Sequence, residues 1–393
     1  MAKGFTKGNN KKERKFLLRQ LYFYLTEGCN LHCRHCWIAP KFQTQKNTYP
    51  SLTFDLFISI IKQAIPLGLS RVKLTGGEPL LHPQIEKILD AIKAQNIRLV
   101  LETNGILCAP ELAQKIAECD NPFVSVSLDG ANAETHEWMR GVKGCFDATL
   151  EGIRNLVQAG VNPQIIMTIT RRNKDQVKAV LGLAESLGAK SLKFNILQPT
   201  ARGSQLHQEH ENLNAAELLE LGRWVENSLA GSTDLRLSFD YPLAFSSLNH
   251  IFSENGEGCG SCGILGILGV LSDGSYALCG IGETVPELIF GHASRENLED
   301  VWNNTMILQE LRRGLPNRLE GICGNCLMKE LCLGSCIAQN YLSNKNLWEP
   351  YWFCQELHNK GLFPQTRFFN NTSHAKKSQG NSNNATGHLV ASN

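Results

Sequence analysis

Cys29, Cys33 and Cys36 stand in the run Thr26-Glu-Gly-Cys-Asn-Leu-His-Cys-Arg-His-Cys-Trp37, a C-x3-C-x2-C spacing near the N-terminus. Three thiolates so close together can wrap one corner of a metal cluster. A structural zinc site wants four ligands, and this motif supplies three. Three is also one too few to close a four-iron cube, so one iron would stay open, which points to chemistry rather than to a structural staple. A second array lies toward the C-terminus: Cys259 and Cys262, then Cys279, then Cys323-x2-Cys326-x5-Cys332-x3-Cys336, and Cys354 after a gap. Eight thiolates suffice for two complete four-iron clusters; repeated C-x2-C pairs are equally the signature of zinc ribbons. Of the fourteen cysteines this leaves Cys108, Cys119 and Cys145, which read as packed thiols.

Other polar residues could serve the same site. Thr75-Gly76-Gly77-Glu78-Pro79 closes a strand; its glycines let backbone approach a ligand closely, and Glu78 can accept from an ammonium group. Glu102-Thr103-Asn104-Gly105 ends the next strand. In Ser125-Val-Ser-Leu-Asp129, alternation puts Ser125, Ser127 and Asp129 on one face, although Asp129 is equally placed to cap a helix. Arg140 offers a two-point fork for a carboxylate, or a surface ion pair. Thr168 and Asn195 point to the same end of the fold. Gly258-Cys-Gly-Ser-Cys-Gly263 satisfies G-x-G-x-x-G, but Asp273-Gly274, a hairpin signal, follows where a nucleotide site needs a helix, so that reading is rejected.

These residues must be positioned by alternating strands and helices. Strands are expected at 21–25, 71–75, 97–102, 123–128, 164–170 and 191–197, with helices near 53–65, 83–95, 110–119, 146–159 and 174–187. Six β-α units in series predict an α/β fold, a partial (β/α)6 barrel of the TIM type, over residues 21–230. The triple-cysteine loop then follows the first strand, at the C-terminal mouth where such barrels build active sites. One more amphipathic helix is expected at 213–229. A connecting segment, 231–258, leads to a small cysteine-rich domain, 259–364, with little periodic core and a fold dependent on metal.

Residues 1–20 carry seven Lys and Arg against one Glu and are expected to form a flexible basic arm; 365–393, rich in Asn, Ser, His and Lys, reads as a disordered tail. The net charge of +2 argues against a nucleic-acid partner. No secretory signal and no membrane-length apolar run is present, so the expected setting is a reducing cytoplasm.

With Trp37 directly after the third cysteine, this motif resembles the radical S-adenosylmethionine (SAM) enzymes, and the second array resembles the SPASM domain that extends many of their peptide-modifying members. The resemblance covers residues 20–355. It implies that SAM binds the open iron of one 4Fe-4S cluster held by Cys29, Cys33 and Cys36, and that reductive cleavage gives a 5′-deoxyadenosyl radical that abstracts hydrogen from substrate carbon. It further implies that Gly76, Gly77, Glu78, Asn104, Ser127 and Arg140 contact SAM. Two auxiliary 4Fe-4S clusters are implied, one on Cys259, Cys262, Cys279 and Cys336, the other on Cys323, Cys326, Cys332 and Cys354.

The implied substrate is a ribosomally made precursor peptide, to be crosslinked, epimerised or excised, and the opening run is similar to that of spliceases. Anaerobic sulfatase-maturing enzymes carry Asp where this chain has Gly280, so that activity is not expected. With only about 20 residues ahead of the first strand, a separate protein is expected to recognise any leader, and flavodoxin or ferredoxin to donate electrons. The alternatives are a radical SAM enzyme acting on a small molecule or cofactor precursor, haem included, and a zinc-dependent interaction module.

Overall fold

Strand parity decides this architecture. In the computed structural model, which describes residues 16–252 and 262–369, the first six strands are β1 (Gln20–Tyr24), β2 (Arg71–Thr75), β3 (Arg98–Thr103), β4 (Phe123–Ser127), β5 (Gln164–Ile169) and β6 (Ser191–Ile196). Leu21, Phe23, Leu99, Leu101, Leu192 and Phe194 are fully buried on one face. The opposite face carries Lys73, Thr75, Glu102, Ser125, Ser127 and Lys193. One face packs against helices and the other lines a polar lumen, as in a barrel.

The helices outside are α1 (Phe54–Ala64), α2 (Ile85–Ala94), α3 (Pro110–Ala117), α4 (Ala133–Arg140), α5 (Cys145–Gln158) and α6 (Val177–Ser186). Thr53 caps α1 by accepting from Leu56 N, and Phe57 of α1 meets Phe23 of β1 at 4.7 Å between ring centroids. Helix α4 was not expected. It begins at the Asn132 cap and ends at Gly141 in the left-handed region, so only eight residues separate two turn signals.

The sheet is larger than six strands. β7 (Arg236–Phe239) adds to β6 in parallel, inside the stretch expected to be a connection. β8 (Ile267–Val270) adds in parallel to the free edge of β1, with Leu21 opposite Leu268. β9 (Ser275–Ala277) returns through the expected Asp273-Gly274 turn and pairs antiparallel with β8, and β10 (Ile289–His292) completes the order β10-β9-β8-β1-β2-β3-β4-β5-β6-β7. The cysteine-rich region therefore shares the barrel's sheet. It also shares its core: Tyr276, Leu278, Trp302, Phe353 and Leu357 are buried in the same apolar cluster as Leu21 and Phe23. The expectation of little core is corrected, because these positions are apolar without being periodic.

Both expected ends also shift. Phe16 accepts at its carbonyl from Trp302 Nε1 and Leu18 is fully buried, so ordered chain begins before residue 20. Arg367 donates to the carbonyls of Ala244 and Ser246, and Phe368 packs on Phe363 at 5.2 Å, so the ordered chain continues past residue 365. Residues 1–15 and 370–393, the bulk of the expected arm and tail, lie outside the described residues, as does Cys259.

Helix α5 is fitted onto the loop after β3. A methyl group at Gly152 would overlap the Gly105 carbonyl oxygen, whereas one at Gly182 in α6 would meet nothing within 4 Å. Gly182→Ala is therefore expected to stabilise the protein by about 0.5–1 kcal/mol, the ordinary helix-propensity gain. Gly152→Ala is expected to destabilise it by about 1–3 kcal/mol despite the same gain. Urea midpoints of the two variants against the parent check the opposite signs.

Candidate functional site

The loop after β1 is nearly all irregular, so its backbone must be satisfied from outside. Each cysteine carbonyl in it has a donor. Gln43 N–H donates to Cys29 O at 2.8 Å, Arg202 Nε to Cys33 O at 2.8 Å, and Arg202 N–H to Cys36 O at 3.1 Å. The loop's own N–H groups are used as well: His32 N–H donates to Arg140 O at 3.1 Å and Arg34 N–H to Met139 O at 2.9 Å, both at the end of α4. Gly141 sits there because a Cβ would lie 2.5 Å from His32 O. Leu31, fully buried with Cys29, Cys33 and Cys145, anchors the loop from beneath. Three thiols are thus gathered on a braced loop. Burial first, then the Cys33 thiol, pushes the Cys29 thiol up, and burial raises Cys33 against the opposing charge of Arg140.

The Gly76-Gly77-Glu78 segment braces the same loop. Gly77 N–H donates to Thr26 O at 3.1 Å and Glu78 N–H to Gly28 O at 3.0 Å; a Cβ on Gly77 would overlap Gly28 O. What approaches these glycines is the cysteine loop itself. The Glu78 carboxylate is buried and points inward. One oxygen accepts from Leu80 N–H and the Thr103 hydroxyl, the other from Asn104 N–H at 2.9 Å. Burial pushes its carboxyl up to about 7, against those three donors. Glu78 ties two strand ends together. Asn104 Nδ2 donates to Asn30 Oδ1 at 2.7 Å, joining the third strand end to the same loop.

Arg140 and Asp129 form the electrostatic centre. Arg140 Nη2 lies 2.7 Å from Asp129 Oδ2, and its Nη1 donates to Cys33 Sγ at 3.6 Å. Asp129 also accepts from Thr168 N–H at 2.8 Å and lies 3.6 Å from His35 Nε2. Its carboxyl is held low: burial raises it, but Arg140 and His35 outweigh burial. Neither side chain is a surface ion pair or a helix cap. His136 Nδ1 accepts from Asp129 N–H at 3.2 Å, and burial first, then Arg140, pushes its ring down to about 3. Ser127 is half-buried on the lumen face, and Asn195 Oδ1, paired in register with Thr168, is buried without a hydrogen-bond partner.

Sequence reasoning missed Arg202, since nothing local marks a residue that acts on a loop 160 positions earlier. It also passed over the lumen ion pairs, Lys73 Nζ to Glu102 Oε1 at 2.5 Å and Lys193 Nζ to Asp240 Oδ1 at 3.3 Å. Their signal was the polar alternation along β2, β3 and β6. Burial raises the Glu102 carboxyl, but Lys73 first and Lys193 and Thr75 after it hold the group below its ordinary range.

The second array divides into two neighbourhoods. Burial first, then Cys336 and Cys262, pushes the Cys279 thiol up, and burial with Cys336 pushes Cys262 up to about 12. Cys323, Cys326, Cys332 and Cys354 line one small apolar cavity, where Cys354 shares a hydrogen with Cys323, lowering one thiol and raising the other. Cys336, whose charge is felt at both Cys262 and Cys279, also lines a second cavity together with Cys262 and Cys332. Among the described residues no three Cys, His, Asp or Glu side chains converge tightly enough for a single metal ion. All thirteen described cysteines are free. All-sulfur donor sets are what an iron–sulfur cluster takes. Tyr24 explains Gly280: any side chain at 280 would collide with the Tyr24 phenol. Cys108, Cys119 and Cys145 are buried. Among the described residues no helix is long and apolar enough to cross a membrane.

The comparisons with known proteins meet this geometry. Residues 23–184 match the radical SAM superfamily, and 259–327 match an iron–sulfur cluster-binding domain, SPASM. An AdoMet-dependent heme synthase of Methanosarcina barkeri is 31% identical over 346 residues, covering 86% of this chain and 96% of that one. The mycofactocin maturase MftC of Mycolicibacterium smegmatis is 29% identical over 342 residues, covering 86% and 82%. Among solved structures, Streptococcus suis SuiB bound to precursor peptide SuiA superposes with a TM-score of 0.68 at 19% identity, covering 87% and 76%. Native anSMEcpe with bound AdoMet gives 0.65 at 20%, covering 86% and 94%. These two show the fold. The chain belongs to the radical SAM superfamily, and its C-terminal region is a SPASM domain.

Two outcomes are expected. Asp129→Asn leaves the Arg140 charge buried without its partner and is expected to cost about 3–5 kcal/mol, part of which returns in Asp129→Asn/Arg140→Met; urea unfolding of the metal-free protein measures both. The depressed His136 ring contributes stability that is full above pH 6.5 and is lost as pH falls from there toward about 3. His136→Asn is expected to flatten that limb in a stability-against-pH series.

Proposed function

We propose that this radical SAM protein is a maturase that takes hydrogen from a carbon of a ribosomally made precursor peptide and so begins its crosslinking, epimerisation or excision. The observation that carries the enzyme class is the braced three-thiol loop at the mouth of a polar lumen. A three-thiol set is one ligand short of closing a cube, and SAM is the group whose amine and carboxylate fill such a gap. Cys29, Cys33 and Cys36 would hold the cluster. Cluster and SAM, once bound, supply one-electron reduction and hydrogen-atom abstraction at carbon.

The chain's own residues do the rest. Gln43 and Arg202 hold the loop carbonyls and so fix the backbone that carries the three thiols. Arg140 delivers positive charge to Cys33 while Asp129 fixes its orientation. Ser127 and the unpartnered Asn195 oxygen stand on the lumen face where SAM would bind, and Gly76, Gly77, Glu78, Asn104 and Arg140, which brace the cysteine loop, would adjoin it. Lys73–Glu102 and Lys193–Asp240 keep the lumen polar for a peptide group. Two auxiliary clusters are part of this reading: one on Cys262, Cys279 and Cys336, with Cys259 as fourth ligand, and one on Cys323, Cys326, Cys332 and Cys354. So are a reducing, cytoplasmic setting and an external one-electron donor such as flavodoxin or ferredoxin.

The relationship to a mycofactocin maturase over most of both chains supports a peptide substrate. A haem precursor is the second reading, favoured by the relationship to a heme synthase over 96% of that protein. Coexpression with a short precursor peptide encoded nearby separates the two. A mass change in the peptide is expected; turnover of a porphyrin with the peptide unchanged would overturn the proposal. Iron analysis of anaerobically purified protein is expected to give about 12 iron per chain, falling to about 8 when Cys29, Cys33 and Cys36 are all Ala. Reductant-dependent release of 5′-deoxyadenosine is expected to vanish in Cys33→Ala.

A further inference from the structure

A cleft of about 1040 Å³ opens beside the barrel mouth. Its floor includes Ile169 and Ile196, the last residues of β5 and β6, with Leu218 from α7 (Ala215–Trp224). Its far wall comes from the SPASM region, chiefly α8 (Ile337–Asn344) and α9 (Trp352–Asn359). This volume sits at the top of the range of about 300–1,000 Å³ usual for small-molecule pockets.

The lining has two chemical properties. It carries side-chain amides, among them Asn212, Gln339 and Gln355; Gln339 donates to Gln198 and Gln355 to Asn359 at 2.9 Å, and each keeps an acceptor oxygen for the N–H groups of an extended backbone. It is also one-signed. Among the described residues Glu320, Glu349 and Glu356 line it together with His207, and no Lys or Arg does. Glu356 is neutralised by Lys360 at 2.8 Å. Glu320 accepts only from the Asn346 amide at 3.2 Å, and Glu349 only from the Asn344 amide. Two carboxylates therefore face the cleft without a cation.

We propose that this cleft recruits an extended segment of the substrate peptide that carries basic side chains, flanking the residue presented to the lumen. The assignment rests on the peptide reading above. Amides along the walls pair with the segment's backbone, and Glu320 and Glu349 select its Lys or Arg side chains. The floor lies at the C-terminal ends of β5 and β6, the strands that carry Thr168 and Asn195 on their opposite, lumen face.

Fluorescence anisotropy on the anaerobic, cluster-loaded protein tests this with two labelled Gly/Ser peptides that differ only in carrying Lys or Glu. At low ionic strength the Lys peptide is expected to bind about three- to tenfold tighter. The ratio should fall to near one in Glu320→Gln/Glu349→Gln. It should fall likewise in Gln355→Arg, a half-exposed position that tolerates substitution. Equal binding of both peptides, or a ratio unchanged in the variants, overturns the assignment. If a coexpressed precursor is modified while the probes do not discriminate, the groove alone is wrong; if the probes discriminate and no precursor changes mass, the maturase reading alone is wrong.

Discussion

Three cysteines within eight residues must be held together on a stretch of chain with almost no regular structure of its own. That requirement organises the surroundings. An irregular loop beside the core leaves carbonyls unpaired, and each unpaired one is costly. Here the carbonyls of Cys29, Cys33 and Cys36 are answered by the Gln43 backbone, the Arg202 guanidinium and the Arg202 backbone. Arg202 also donates to Pro40 O at 3.0 Å, so one side chain spans the later part of the loop. The glycines at 76, 77 and 141 serve the same end by letting other backbone come against it.

A second constraint is charge. Buried Arg140 stands between a carboxylate and a thiol, and its favourable geometry with Asp129 offsets what burial takes from both. The two neighbouring histidines respond by staying neutral; burial first, with Arg140 and Arg202, pushes His35 down to about 4 against the pull of Asp129. The site thus keeps a fixed pattern of charge at one end of the barrel, while the lumen beyond it holds opposite charges in close pairs.

Much of this was legible from residue order. β2 is the 71–75 run itself, and every other early strand lies within about one residue of its expected bounds, because β-branched and apolar alternation is a local signal. The cysteine spacings marked the site for the same reason. What escaped reading was non-local. The short run of β7 looks like a connection until its partner, β6, is known, and β8, one arm of the expected hairpin, gives no local sign that it also pairs with β1. Glu78 reads as an acceptor from sequence; that its carboxylate takes hydrogen bonds from Thr103 and Asn104, one strand away, shows only in the fold. The placement of Cys336 with Cys262 and Cys279 depends on where α8 begins, which spacing does not show.

The pairing of β1 with β8 has a consequence for synthesis. β1 lies fourth in the sheet, yet its neighbour on one side, β8, is made nearly 250 residues after it. Until that strand leaves the ribosome, β1 presents an unpaired edge beside the loop meant for iron and sulfide. A nascent chain can close β1 through β7 and still carry an open seam, and any product stopped before residue 267 keeps it. Synthesis of the first cysteine loop and completion of the sheet are therefore separated in time, and the open edge of β1 is most exposed to mispairing in the interval between them.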